Sequence, residues 1–162
     1  MSVKENFGRW VNTRSSVDRR ALQKSIVRDP RFTRELAWQS RAEQLLADDR
    51  WDEVIRLVEF HMPGAFLSPV AHRLLAIARE EIYDSKGARA EWDLVHLSLI
   101  AIDESGNGNY AKPWQVFHVA DEYALLSWKE LTPEAQRCIL TKDGIVDVIT
   151  CTDGSERWFR LI

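Results

Sequence analysis

The sequence predicts an α+β fold, with helical hairpins first and a small antiparallel β-sheet with one short helix after them. Three observations carry that expectation. Apolar residues recur at helical spacing from about residue 33 to residue 104. Turn chemistry at Gly106-Asn107-Gly108-Asn109 then ends the pattern. Beyond it, Asp143-Gly144 and Asp153-Gly154 separate β-prone runs, the signature of two hairpins. At 162 residues the chain is sized for a single domain. We divide it into a loosely ordered basic arm (1–16), a helical part (17–104) and a β-rich part (105–162).

The arm is polar, with Phe7 and Trp10 as isolated aromatics. A weak helical pattern (Val17, Leu22, Ile26) follows and stops before Pro30, because the residue preceding a proline disfavours helix. Four stronger helices come next. The first has Thr33 as its candidate N-cap and carries Trp38, Ala42, Leu45 and Leu46 on one side. The second has Trp51, Val54, Ile55 and Val58 at i, i+3, i+4, i+7 and ends at Pro63-Gly64. The third opens with Ser68-Pro69, a cap followed by proline at the first helical position, and buries Val70, Leu74, Ile77 and Ala78. The fourth has two apolar stripes, one through Trp92, Val95 and Leu99 and one through Leu94, Leu97 and Ala101. Two stripes predict burial on both sides. The two helix pairs are offset by about 34–36 residues, so this part is similar to tetratricopeptide helical hairpins, which repeat at that period. Only Ala42 and Ala76 correspond under the shift.

In the second half, Trp114 to Val119 alternates and reads as a strand, and Asp121 to Leu131 reads as a short helix. If both Asp-Gly pairs form two-residue turns, Ile139 faces Val148, Val148 faces Phe159 and Val146 faces Leu161 on the core side. The opposite face then carries Cys138, Ile149 and Trp158 in a row, exposed and available to a partner.

Two cysteines, Cys138 and Cys151, have neither zinc spacing nor opposed positions in that register, which implies free thiols in a reducing cytoplasm. Nothing in the sequence calls for a metal or a cofactor. No stretch is apolar and long enough to span a bilayer, and the first twelve residues lack the apolar core of a secretory signal. Net charge is −3, yet residues 1–34 hold nine basic and three acidic side chains. Such a segment either folds back on its own acidic body or meets an anionic surface, with nucleic acid the least favoured partner.

No GxSxG, P-loop, GxGxxG or HExxH motif occurs. His72 lies on the third helix, off its apolar stripe and in line with Arg79 and Tyr83. That position suits a hydrogen-bonding residue packed between helices, with ligation or acid–base work as the alternative. Asp93 and His96 are i, i+3 neighbours of the kind also common on solvated faces. Asp121 and Glu122 suit the first turn of a helix. The Gly106–Gly108 loop can form a backbone nest for an anion or simply reverse the chain. His72, Asn107, Glu122 and Tyr123 are the candidate polar groups at a helix–sheet junction.

Taken in order, these elements look familiar. His72, then Ser105-Gly106-Asn107-Gly108, then Val116 to Val119, Asp121-Glu122-Tyr123, Gln136, Asp147-Val148 and finally Trp158-Phe159-Arg160-Leu161 agree in order and spacing over roughly 95 residues. The stretch from Ser68 to Leu161 resembles a bacterial domain-of-unknown-function family. That family shows a helical pair carrying a histidine, a Ser-Gly-Asp-Gly turn, a strand, a Glu-Glu-Tyr segment and a terminal Tyr-Phe-Asn-Ile strand. Asn107 stands where the family has aspartate, Asp93 where it has histidine and Arg160 where it has asparagine. The resemblance implies the same fold and no particular activity. The expected function is a non-enzymatic module that binds a protein or peptide. The alternatives are an enzyme or enzyme remnant using the junction residues, and anionic-surface binding through the arm.

Overall fold

The structure is a computed structural model that describes all residues, 1–162. Internal contacts divide the chain into two compact units, Met1–His96 and Leu97–Ile162.

The first unit is helical. The segment expected to be a loose arm is a helix, α1 (Val3–Thr13), with a complete capping box: Ser2 Oγ accepts from the Glu5 backbone and Glu5 accepts from the Ser2 backbone. Val3, Phe7 and Trp10 fall at i, i+4, i+7, and Trp10 is wholly buried. The stray aromatics are thus the inward stripe of an amphipathic helix. Arg14, in the left-handed region at φ 52°, turns the chain into α2 (Ser16–Val27), which Ser15 caps. α2 buries Leu22 and Ile26. Then come α3 (Ala37–Ala47), α4 (Trp51–Phe60) and α5 (Pro69–Glu81). α3 begins at Ala37 rather than after Thr33, whose hydroxyl instead accepts from the Glu35 N–H. Connections of three residues or so, as at Asp48–Arg50, make neighbouring helices antiparallel. The Ser68-Pro69 start holds as read, with Ser68 Oγ accepting from Ala71 N at 3.2 Å. α6 (Ser85–Asp103) is a 19-residue helix, and the boundary between the units falls within it. Trp92 is 39% exposed, so the early part of α6 is not buried on both sides.

The second unit contains β1 (Trp114–Val116), α7 (Val119–Trp128), β2 (Pro133–Thr141), β3 (Gly144–Cys151) and β4 (Glu156–Leu161). The sheet order is β1-β4-β3-β2, with β1 parallel to β4 and the other pairs antiparallel. The sheet is therefore mixed rather than antiparallel throughout. His118 is not in a strand: it occupies the N-cap position of α7.

The register differs from the expected one, for a reason that lies in the turns. In the first hairpin Thr141 pairs with Gly144, so the loop is Lys142-Asp143, one residue earlier than expected. That moves the pairing by two and leaves every side chain on its expected face. In the second hairpin Cys151 N–H bonds to Ser155 O at 2.8 Å and Gly154 takes φ +82°, making a three-residue loop of Thr152, Asp153 and Gly154. One extra loop residue shifts β4 by one and inverts its faces. Val148 now pairs with Trp158 and Asp147 with Phe159. Cys138 and Ile149 share one face, Trp158 lies on the other, and Ile149 is completely buried. The row of Cys138, Ile149 and Trp158 as an exposed contact surface does not exist. β3 is a central strand buried on both faces from Val146 to Ile149.

Candidate functional site

Two places gather polar side chains, one in each unit. In the second unit the centre is Asp147 on β3. Its cross-strand partner is Cys138, and α7 brings Glu122 and Tyr123 to it. Asp147 is 3% exposed and Glu122 is not exposed at all. Neither carboxylate oxygen of Glu122 meets a donor from another residue. The Asp147 carboxylate beside it is also an acceptor, so a hydrogen bond between them requires a proton on one of the two. Burial first, and the Asp147 charge and hydrogen bond next, push the Glu122 carboxyl up to about 9. Glu122 thus holds its proton at neutral pH beside the Asp147 carboxylate. Cys138 is exposed, and its thiol is pushed up because it donates to the same carboxylate. That keeps it a thiol and a poor nucleophile. The Tyr123 hydroxyl, likewise pushed up by burial, donates to Gln136 Oε1 on β2. His118 and Asp121 form a second buried pair, Nδ1 to Oδ2 at 3.2 Å, in the first turn of α7. Glu122, Asp147, His118 and Asp121 are buried while Cys138 and Tyr123 reach the surface, and the cluster ties α7 to the sheet.

Asn107 takes no part in it. The N–H groups of Asn107 and Gly108 both donate to Lys112 O, its side chain accepts from Asn109 N, and Gly108 O accepts from Trp158 N at 2.9 Å. The glycine turn stitches itself to β4, and the N–H groups of Asn107, Gly108 and Asn109 are all taken within it. Gly108 is obligatory there: its φ is +70° and an added Cβ would lie 2.4 Å from the Trp114 ring.

In the first unit the centre is His72. It is 2% exposed, with Nδ1 2.7 Å from Glu91 Oε2 and Nε2 2.7 Å from the Phe66 carbonyl. Both ring nitrogens are occupied, so His72 locks α5 to α6 and to the chain before α5. Arg79 extends the lock, bonding Glu59 at 2.7 Å and Asp84 at 2.9 Å and lying 3.8 Å from Glu91. Of the four candidate junction residues, Glu122 and Tyr123 meet around Asp147, while His72 and Asn107 each serve a separate local structure.

The His72–Glu91 pair lines a cleft of about 490 Å³ that the sequence did not reveal. Val3 from α1, Met62, Pro63 and Phe66 from the α4–α5 connection, Leu75 from α5 and Leu94 from α6 give it an apolar floor. Lys4, Arg31 and Glu59 stand around it. Gly64 lets the chain at Arg31-Phe32 approach closely, since an added Cβ would come within 2.6 Å of Phe32 N. Arg31 Nη1 then bonds Met62 O at 2.6 Å. The capping box at Ser2 was the readable signal that α1 exists, and without α1 the cleft has no wall.

No helix is long and apolar enough to cross a membrane, and no three or more His, Cys, Asp or Glu side chains are arranged to hold a metal ion. Comparison with protein-family models, with curated proteins and with solved structures gave no match.

Proposed function

We propose that this protein is a non-enzymatic module that binds a protein or peptide, and that the cleft of the helical unit receives an apolar side chain of the partner. The observation that carries the reading is the apolar floor itself, open to solvent and built by four separate segments, three of them held together by the His72 and Arg79 bonds and α1 joined to them by the Phe7–Phe66 ring contact. A pre-formed apolar pocket with a few polar groups is the usual form of a binding site. The polar cluster around Asp147 supports the same choice from the other direction, because its acid is enclosed and its thiol is held protonated. A reducing cytoplasmic setting belongs to the proposal and is supported by the exposed free thiol of Cys138. So does the relation to the domain-of-unknown-function family, supported by the way its short motifs fall at element junctions, such as Asp121-Glu122-Tyr123 in the first turn of α7.

The test is selection of displayed random 12-residue peptides on the full chain, repeated on Leu94→Trp, which fills the cleft. Selected peptides should bind the native protein and lose at least tenfold in affinity for the variant. Failure to select any binder, or binders indifferent to Leu94→Trp, overturns the proposal.

A further inference from the structure

A second cavity of about 500 Å³ adjoins the first, and the two share Ser2, Val3 and Pro63 in their walls. The first is floored by apolar side chains, whereas the walls of the second include Lys24 of α2 and Arg28 at its C-cap. Between them the pair of cavities gathers four exposed cations, Lys4, Lys24, Arg28 and Arg31, none of which has a carboxylate partner. Three acids line the same cavities, each bonded to a group other than the side chains of these four cations. Glu59 pairs with Arg79, Glu91 with His72, and Asp29 accepts the Arg31 backbone N–H at 2.9 Å. Other basic groups of the first 34 residues are spent on the protein itself: Arg9 pairs with Asp18, Arg14 covers the Trp10 ring and Arg19 is buried. Arg34 lies over the Phe32 ring and Arg20 lines neither cavity, whereas Lys4, Lys24, Arg28 and Arg31 border a single groove, on a chain whose net charge is −3.

From this we infer that the groove docks an acidic segment of a partner protein, with one large apolar side chain in the cleft and neighbouring carboxylates against Lys4, Arg31, Lys24 and Arg28. This rests on the proposed binding role of the cleft and adds the chemistry of the partner. Exposed cations without carboxylate partners attract acidic side chains, and each carboxylate that docks pairs a charge the free protein leaves to solvent. A body that is acidic outside residues 1–34 also repels such a partner elsewhere, which steers it to the groove. The apolar half argues against a nucleic acid, which contributes backbone phosphates along its whole length and has no isolated apolar anchor.

The experiment uses a defined set of fluorescein-labelled 12-residue peptides on the full-length protein. One carries a central Phe flanked by Glu and Asp, one has every acid replaced by the amide, and one has Phe replaced by Ala. The acidic Phe peptide should bind at least tenfold more tightly than either analogue. Its affinity should fall at least tenfold between 50 and 500 mM salt, while that of the amide peptide stays level. Lys24→Glu with Arg28→Glu, on exposed positions outside the cleft floor, should weaken only the acidic peptide, with unchanged circular dichroism confirming the fold. If amide and acidic peptides bind alike and both lose affinity in Leu94→Trp, the acidic inference falls and the cleft's binding role stands. If neither responds to Leu94→Trp, the binding role falls. Tighter binding of a 12-nucleotide RNA or of a labelled long-chain fatty acid that displaces the acidic peptide overturns the inference in favour of those ligands.

Discussion

The neutral carboxyl of Glu122 makes stability depend on pH in an unusual direction. In the folded chain it holds its proton up to about 9, against an ordinary value of 4.5. Between those limits the native state binds a proton that the unfolded chain has released, so stability falls as pH rises and levels off above the folded value. Each pH unit in that window costs about 1.4 kcal/mol, so raising the pH from 5 to 8 removes about 4 kcal/mol through this one group. Glu122→Gln keeps the shape and a donor towards Asp147 but cannot ionise. The variant should match the native protein near pH 5 and exceed it by about 3–4 kcal/mol at pH 8. Every other ionisable group is common to both proteins, so the difference between the two reports on Glu122 and its contact with Asp147. The assay is urea unfolding followed by tryptophan fluorescence at pH 5, 6, 7 and 8. A difference that does not change with pH would refute the reasoning, because it would mean that Glu122 is ionised in the folded protein and that no proton joins it to Asp147.

Ile149→Asp should destabilise the sheet about as severely as Val148→Asp, by several kcal/mol, since each buries an unpaired charge; thermal midpoints compare them directly. Trp10→Ala should cost about 3–5 kcal/mol, read by urea unfolding, because the ring is fully enclosed. His72→Ala should cost about 1–3 kcal/mol by stranding the Glu91 carboxylate and the Phe66 carbonyl, again read by urea unfolding. Gly108→Ala should lower the thermal midpoint markedly, since the new Cβ meets the Trp114 ring at a positive φ.

Local signals were readable where a single residue type settles a local geometry. Ser68-Pro69 fixed a helix start, and Val54 and Val58 fixed an inward face. α1 was also readable, through Ser2 and Glu5, but its three inward residues are spread over eight positions among polar neighbours and look like noise until the cap is noticed. The β4 register was not readable. Asp153-Gly154 is compatible with a two- or a three-residue loop, and which one forms is decided by how Phe159 and Leu161 pack, at a distance in sequence. The Glu122–Asp147 contact depends on that long-range packing too, since 25 positions separate the two residues. The cleft was hidden for a related reason: its walls come from residues as far apart as Val3 and Leu94.

The sheet order sets a timetable for the β-rich unit. β4 is the last of its strands in the sequence but sits between β1 and β3. During synthesis, β2 and β3 can zip together as soon as both have emerged, while β1 has no strand to join until Glu156–Leu161 appears. Until Glu156–Leu161 pairs, the unit therefore has two unsatisfied backbone edges, one on β1 and one on β3, each a template for a neighbouring chain. Trp114, later packed against Phe159 at a ring separation of 5.4 Å, waits exposed for the same interval. Fraying of β4 reopens both edges at once, so a single six-residue strand guards the unit against pairing with another chain.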